Sequence, residues 1–237
     1  NFKKNNKFVE AQRIEEREAL RSKLFSETWK DLIPKVFEDV PTYYDKGNAV
    51  ASLGLCSWWS NRFVAAMDIP KGATVLDVCS GTHDVPLRLL RRDPSLKIYA
   101  VDRSSEMLAE GGRRAKELGF SITSQVSDAH TLPFKDATFD TVTLQFATRH
   151  LKVTDVFREI FRVLKPGGHF FFHTFNRNPI SGFLVIKGVE WFVKNTPRNL
   201  HIYRLFIKPK EMSDYCKKAD LRVKEWKGVS PKWFSIS

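Results

Sequence analysis

Apolar side chains follow two rhythms along this chain. Up to about residue 67 they recur in helical turns. Ala11, Ile14, Ala19, Leu20 and Leu24 give a modest stripe over 8–40, a region free of glycine that Pro34 and Pro41 break into pieces. Residues 48–67 form a second helical stretch carrying Trp58, Trp59 and Phe63, and Pro70-Lys-Gly marks a turn after it. From Thr74 onward, short β-branched runs alternate with amphipathic segments. The pattern predicts strands at 74–79, 97–102, 121–128, 139–147 and 169–175. Between them it predicts helices at 84–92, at 104–118 with Ser104 as cap and Gly119 as stop, and over Val153, Val156, Phe157, Ile160, Phe161 and Leu164. Lys165-Pro-Gly-Gly ends that last helix. Further helices are expected near 180–194 and 210–219, and short strands near 222–229 and 233–237.

Alternating strand and helix means an α/β fold with a mostly parallel sheet, here of seven strands, flanked by helices. No internal repeat or low-complexity linker divides it. The expected organisation is an N-terminal helical extension or lid at 1–68, then one domain at 69–237 with a substrate-side insertion at 176–210.

Composition narrows the class. With 42% hydrophobic and 13% aromatic residues the chain is not mainly disordered, and no apolar run approaches the ~20 residues of a transmembrane helix. Cys56, Cys79 and Cys216 are odd in number, widely spaced and without a CxxC pair, which argues against a disulfide framework and a structural zinc site. A reduced, intracellular protein without a secretory signal is expected. The formal charge of +12 is unevenly placed, since residues 151–237 hold 17 basic and 7 acidic side chains. Such a face suits nucleic acid, anionic lipid or an acidic ligand, or is simply solvated.

The candidate chemistry lies at the ends of successive strands. The first strand runs into Asp77-Val-Cys79-Ser-Gly81-Thr-His83-Asp84 and then a helix, a strand–loop–helix unit of the kind that binds ligands at the carboxyl edge of open α/β sheets. Gly81 permits close backbone approach, and the following helix N-terminus offers N–H groups to a carboxylate. Asp102, 25 residues after Asp77, ends the second strand where an acid accepts ribose hydroxyls. Asp128 and Ala129 follow the third strand, from which an adenine edge can be read. Taken singly, each Asp is equally a strand-end cap or turn residue.

The run VLDVCSGTHD, then VDRSSEML, SDAHTLPFKDATFDTV and FREIFRVLKPGG, in that order over about 74–175, resembles the class I S-adenosylmethionine-dependent methyltransferases with their Rossmann-like fold. The resemblance implies S-adenosyl-L-methionine as cofactor. Asp77, Cys79, Gly81 and His83 would hold its methionine part, Asp102 and Arg103 its ribose, and Asp128 with Ala129 its adenine, with Gln145 also in the cofactor set. The family prefers Gly-x-Gly-x-Gly where this chain has Cys79, Gly81 and His83. His83 therefore hydrogen-bonds the cofactor's carboxylate, weakens its binding, or points away and only starts the helix.

Tyr44-Asp45-x-x-Asn48, Ser52-Leu-Gly54, Trp59 and Phe146-Ala-Thr-Arg149-His150 resemble the ubiquinone/menaquinone C-methyltransferases of the UbiE/MenG type. The segments at 175–183, 189–201 and 204–212 resemble the UbiG-type quinone O-methyltransferases. Both imply a lipophilic quinone precursor as substrate, with Tyr44, Asn48 and Trp59 on the substrate side. The UbiG type carries Glu-x-x-Glu-His after the fourth strand, whereas this chain has Phe146, Arg149 and His150, so no metal site of that design is expected. C-methylation is favoured, with Arg149 stabilising a quinol oxyanion and His150 taking the proton; the competing roles are a loop-holding ion pair and a structural histidine. O-methylation of a polyprenyl catechol is the first alternative, and an RNA methyltransferase or a non-catalytic assembly factor the second. Nucleic acid is the lesser expectation, because neither Asn/Asp-Pro-Pro-Tyr/Phe nor a Pro-Cys nucleophile occurs. The apolar stretch 180–194 among basic residues reaching to 210 suggests an anionic membrane surface as partner. The expected location is cytoplasmic or the mitochondrial matrix, peripheral on the inner membrane, in a homo-oligomer or biosynthetic complex.

Overall fold

The computed structural model describes residues 2–24, 52, 54–179, 182 and 202–229. Its elements run α1 (Phe2–Leu24), α2 (Leu55–Ala65), β1 (Thr74–Val78), α3 (Asp84–Arg92), β2 (Lys97–Asp102), α4 (Ser105–Glu117), β3 (Thr123–Val126), β4 (Phe139–Gln145), α5 (Val153–Val163), β5 (Leu164–His173) and α6 (Pro209–Lys218). Short 3-10 turns stand at Thr148–His150 and Tyr203–Leu205.

The five strands form one sheet in the order β3-β2-β1-β4-β5, every pair parallel. A parallel sheet needs cover on both faces, which explains why the apolar residues of β1 fall on both faces and do not alternate with polar ones. Val75, Leu76 and Val78 are all fully buried. Leu76 and Val78 pack with α5 and α6, while Val75 packs with Val85, Leu89 and Leu90 of α3. The chain builds outward from β1 to β3, then returns to place β4 on the other side of β1. That reversal leaves a crevice beyond the carboxyl ends of β1 and β4, and the register brings Asp77 opposite both Ala100 and Thr143.

α5 shows how periodicity becomes packing. Val153, Val156, Phe157, Ile160 and Val163 recur every three to four residues and are all fully buried, whereas Phe161 falls outside that stripe and is 47% exposed. Burying Phe157 contributes on the order of 2–3 kcal/mol. Ser104 caps α4 as expected, its hydroxyl accepting from the Met107 N–H at 3.1 Å.

Several element bounds differ from those predicted: β1, β3 and β4 are one to four residues shorter, and the first helix is α1 at Phe2–Leu24. β5 begins at Leu164, not 169: Leu164 pairs with Phe139 and His169 with Thr141, so the Lys165-Pro-Gly-Gly segment is absorbed as a bulge. Residues 222–229 make no strand, which leaves five strands among the described residues. The strand expected at 233–237 and the helix near 180–194 lie outside those residues. In α1, Ile14 is buried as predicted but Ala19 is exposed, and the charged Arg21 is the most deeply buried side chain described on that helix.

Candidate active site

The carboxyl ends of β1, β2 and β3 deliver three acids to one place. Asp77 is 3% exposed and accepts a 2.5 Å hydrogen bond from the Thr143 hydroxyl on β4. Burial, opposed by that bond, pushes its pKa up to about 7. Asp102 takes one backbone N–H on each oxygen, from Gly81 at 2.8 Å and Ser104 at 3.0 Å. Burial raises its pKa and these N–H groups pull it down. The Arg103 N–H adds a third backbone donor, so of the about four acceptor directions of a carboxylate one remains for a hydroxyl donor. Asp128 is held low, to about 2, chiefly by His130. These three acids, with Arg103 opposing them, all act on the Cys79 thiol, whose pKa is raised well above its usual value mainly by burial.

The loop from Cys79 to His83 explains a glycine pattern in backbone terms. Cys79, Gly81 and His83 all have positive φ, at 56°, 51° and 61°. Glycine tolerates that region freely, while Cys and His hold it at a cost of about 1–2 kcal/mol each. His83 does not aim into the crevice. Its ring is fully buried, packed on Gly111 of α4, with Nε2 3.3 Å from the Ser124 hydroxyl of β3. Desolvation lowers its pKa to about 4, so the ring is neutral. Of the three alternatives for His83, the side chain follows the one in which it points away and starts α3.

The other cofactor-side candidates divide between core and crevice. Ala129 is 4% exposed with its methyl in the core, so only its backbone is available to a ligand. Arg103 reaches to 4.0 Å from Asp128. Gln145 is committed to neighbours, accepting from the Ser60 hydroxyl at 3.1 Å and donating to His173 Nδ1 at 3.2 Å. His173 and His130 were not anticipated from sequence. His130 Nδ1 lies 2.5 Å from Asp128 while its Nε2 accepts the Lys152 N–H at 3.1 Å, which joins the loop after β3 to the start of α5. The run Ser-Asp-Ala-His itself was the available signal: a histidine two residues after a strand-end acid reaches back to it.

Beside the acids stands an aromatic wall. Phe146, with φ 55°, stacks on Phe175 at 4.6 Å and 10°, and Trp59 meets both edge-on at 6.3 and 5.9 Å. Arg149 donates to the Phe146 carbonyl and sits 5.9 Å over the Phe175 ring. His150 follows in the same turn, its N–H bonded to the Ala147 carbonyl at 2.8 Å. Trp59, Arg149 and His150 therefore gather at the end of β4, whereas Tyr44 and Asn48 lie outside the described residues. Among the described residues no three His, Cys, Asp or Glu side chains group as metal ligands. Cys56, Cys79 and Cys216 are free thiols.

This donor set suits a particular ligand chemistry. Two acids with open acceptor capacity match ribose hydroxyls and an ammonium group, and a third with an exposed edge matches an exocyclic amine. S-adenosyl-L-methionine carries all three donors, so the residues present fit it.

Comparison with known proteins agrees. Residues 25–198 match the model of the ubiE/COQ5 methyltransferase family. A demethylmenaquinone methyltransferase of Anoxybacillus flavithermus is 37% identical over 142 residues, covering 59% of this chain and 60% of that one. A ubiquinone/menaquinone biosynthesis C-methyltransferase UbiE of Bartonella quintana is 38% identical over 148 residues, covering 60% and 56%. The match thus spans about six tenths of the length of these relatives. The fold is shared with a SAM dependent methyltransferase from Aquifex aeolicus, at a TM-score of 0.55 and 19% identity over 70% of this chain and 81% of that one. A strand-end acid series, a left-handed glycine-type loop and this family match lead to one assignment: the chain belongs to the ubiE/COQ5 methyltransferase family, whose cofactor is S-adenosyl-L-methionine.

Proposed function

We propose that this protein methylates a ring carbon of a lipophilic quinol precursor in ubiquinone or menaquinone biosynthesis. The observation that carries this reading is Arg149, held over an aromatic wall beside the acid-lined crevice. When bound, S-adenosylmethionine supplies an electrophilic methyl group on a sulfonium. Asp77 balances positive charge at the methionine end, Asp102 orients the ribose and Asp128 the adenine. Phe146, Phe175 and Trp59 would hold the acceptor ring and keep water from it. His150 takes the proton of the quinol hydroxyl, and Arg149 faces the oxyanion that makes the ring electron-rich. His150 would then return its proton to the oxygen as the methylated ring carbon loses its own proton to solvent, so that one proton is released overall.

The relatives named as demethylmenaquinone methyltransferase and UbiE support this substrate class. The basic surplus over 151–237 supports a further reading, that the protein docks on anionic bilayers where such substrates reside. Among the described residues no helix is long and apolar enough to cross a membrane. Peripheral docking of this kind is tested by co-sedimentation with phosphatidylglycerol vesicles, which should fall with salt.

Mass spectrometry of quinones from cells lacking the protein tests the main reading. Accumulation of a ring lacking a C-methyl group is expected. A hydroxylated precursor awaiting an O-methyl group indicates O-transfer instead, and an unchanged quinone profile overturns the quinone role.

A further inference from the structure

Arg21 lies outside the cofactor crevice, yet its side chain is fully buried on a helix otherwise rich in exposed charge. A buried guanidinium is strongly disfavoured unless its donors are satisfied. Nη1 donates to the Thr148 carbonyl at 3.0 Å and Nη2 to the Leu205 carbonyl at 2.9 Å. Nε lies 3.0 Å from Glu18, whose same oxygen accepts the Tyr215 hydroxyl at 2.8 Å. One planar fork thus joins two backbone carbonyls from distant parts of the chain, a geometry that the point charge of lysine does not reproduce.

Both carbonyls belong to the acceptor side of the site. Thr148 opens the turn that carries Arg149 and His150, and its hydroxyl is 2.6 Å from that of Thr174. Leu205 precedes Phe206, whose ring packs 5.7 Å from Phe175 in the aromatic wall. A second latch runs parallel: Arg17 bonds Glu211 at 2.7 Å, and Arg177 bonds the same carboxylate and the Phe206 carbonyl. A methionine at position 21 would fill similar volume without the desolvation cost, but would leave both carbonyls unheld.

We infer that Arg21 is a positioning residue for methyl transfer: it fixes the Thr148–His150 turn against the 203–206 segment and makes α1 a structural part of the acceptor site. This rests on the reading that Arg149 and His150 act on the acceptor. The test uses the full chain as Arg21→Lys and Arg21→Met. Three quantities are measured: cofactor affinity by calorimetry, kcat and KM with a demethylated quinol, and amide hydrogen exchange. In both variants, exchange over 146–151 should rise at least 10-fold while 74–102 is unchanged. Cofactor Kd should stay within 3-fold and kcat fall at least 10-fold. Arg21→Lys, which keeps the charge but not the fork, should recover thermal stability more than kcat. Unchanged exchange at 146–151 overturns the inference. So does a rise shared equally by 74–102, or failure of both variants to fold, because each assigns Arg21 to general stability alone. A wild-type protein that transfers no methyl group sinks the functional reading instead, and the exchange data still decide the role of Arg21.

Discussion

Burial brings the Asp77 carboxyl to about 7, so near neutral pH it is only partly ionised until a cation arrives. The sulfonium and ammonium of the cofactor favour the carboxylate, and binding should therefore release a proton below pH 7. Calorimetry in buffers of different ionisation enthalpy should detect that release at pH 6 and lose it at pH 8, with tighter binding at pH 8. Asp102 contributes differently, because it orders the loop through Gly81 and Ser104 and is the acid proposed for the ribose. Asp102→Ala removes charge-assisted hydrogen bonds of about 1.5–3 kcal/mol, so cofactor affinity should fall roughly 10- to 100-fold. Arg149 is predicted to separate from both. Arg149→Ala should leave cofactor affinity within about 3-fold and lower kcat by roughly 100-fold or more, the range for removing a group that faces a developing oxyanion. A kcat unchanged by that substitution would reduce Arg149 to a loop anchor.

Between elements, the contact of α4 with the cofactor loop is set by one pair. A Cβ at Gly111 would come within 2.5 Å of the His83 ring, so glycine there makes room for the histidine that replaces a family glycine. Gly111→Ala should destabilise by about 1–3 kcal/mol through overpacking. Replacing His83 by Gly in the Gly111→Ala background should recover most of that, and it also relieves the left-handed strain at position 83. Thermal melts of the two single variants and the double variant give the coupling; additive losses would mean that the two residues do not answer to each other. The pair also marks where sequence reading stops. The departure at His83 was visible and two of its open outcomes involved the ligand, but its resolution depends on a glycine 28 residues away on a neighbouring helix.

For the whole molecule, buried titratable groups oppose one another across the acid range. His83 and His173 are both held neutral by burial, at about 4 against an ordinary 6.5. A lowered histidine pKa means that the unfolded chain binds more protons, so this stability is present above pH 6.5 and is lost as pH falls towards 4. For the fully buried His83 the loss is roughly 3 kcal/mol. Asp77 works the other way: its raised pKa favours the folded state below about pH 4, and that contribution is lost as pH rises through about 7. Asp102, also raised by burial, acts with Asp77 and returns part of what the two histidines lose, and the ligand-free melting temperature should fall from pH 6.5 to 4 by the difference. The fall should be smaller in His173→Gln, and an equal fall in that variant would remove His173 from the account.

Strand and helix alternation, the order of acids at strand ends and the family they resemble were all legible in the amino-acid sequence. These are local properties: β-branched runs, turn glycines and a 3.6-residue stripe are decided by near neighbours. β2 and α3 accordingly have the boundaries the pattern predicted, and α5 the predicted buried stripe apart from Phe161. Only the tertiary structure decided which charged groups are buried and what they hold. Arg21 on a polar helix, Gln145 at the end of β4 and His130 after the third strand-end acid show this. Their partners are 184, 85 and 22 residues away in sequence, and pairings of that kind exist only after the sheet and helices have assembled. The sheet's reversal at β1 makes the crevice, and Arg21 ties the turn after β4 to the Tyr203–Leu205 turn.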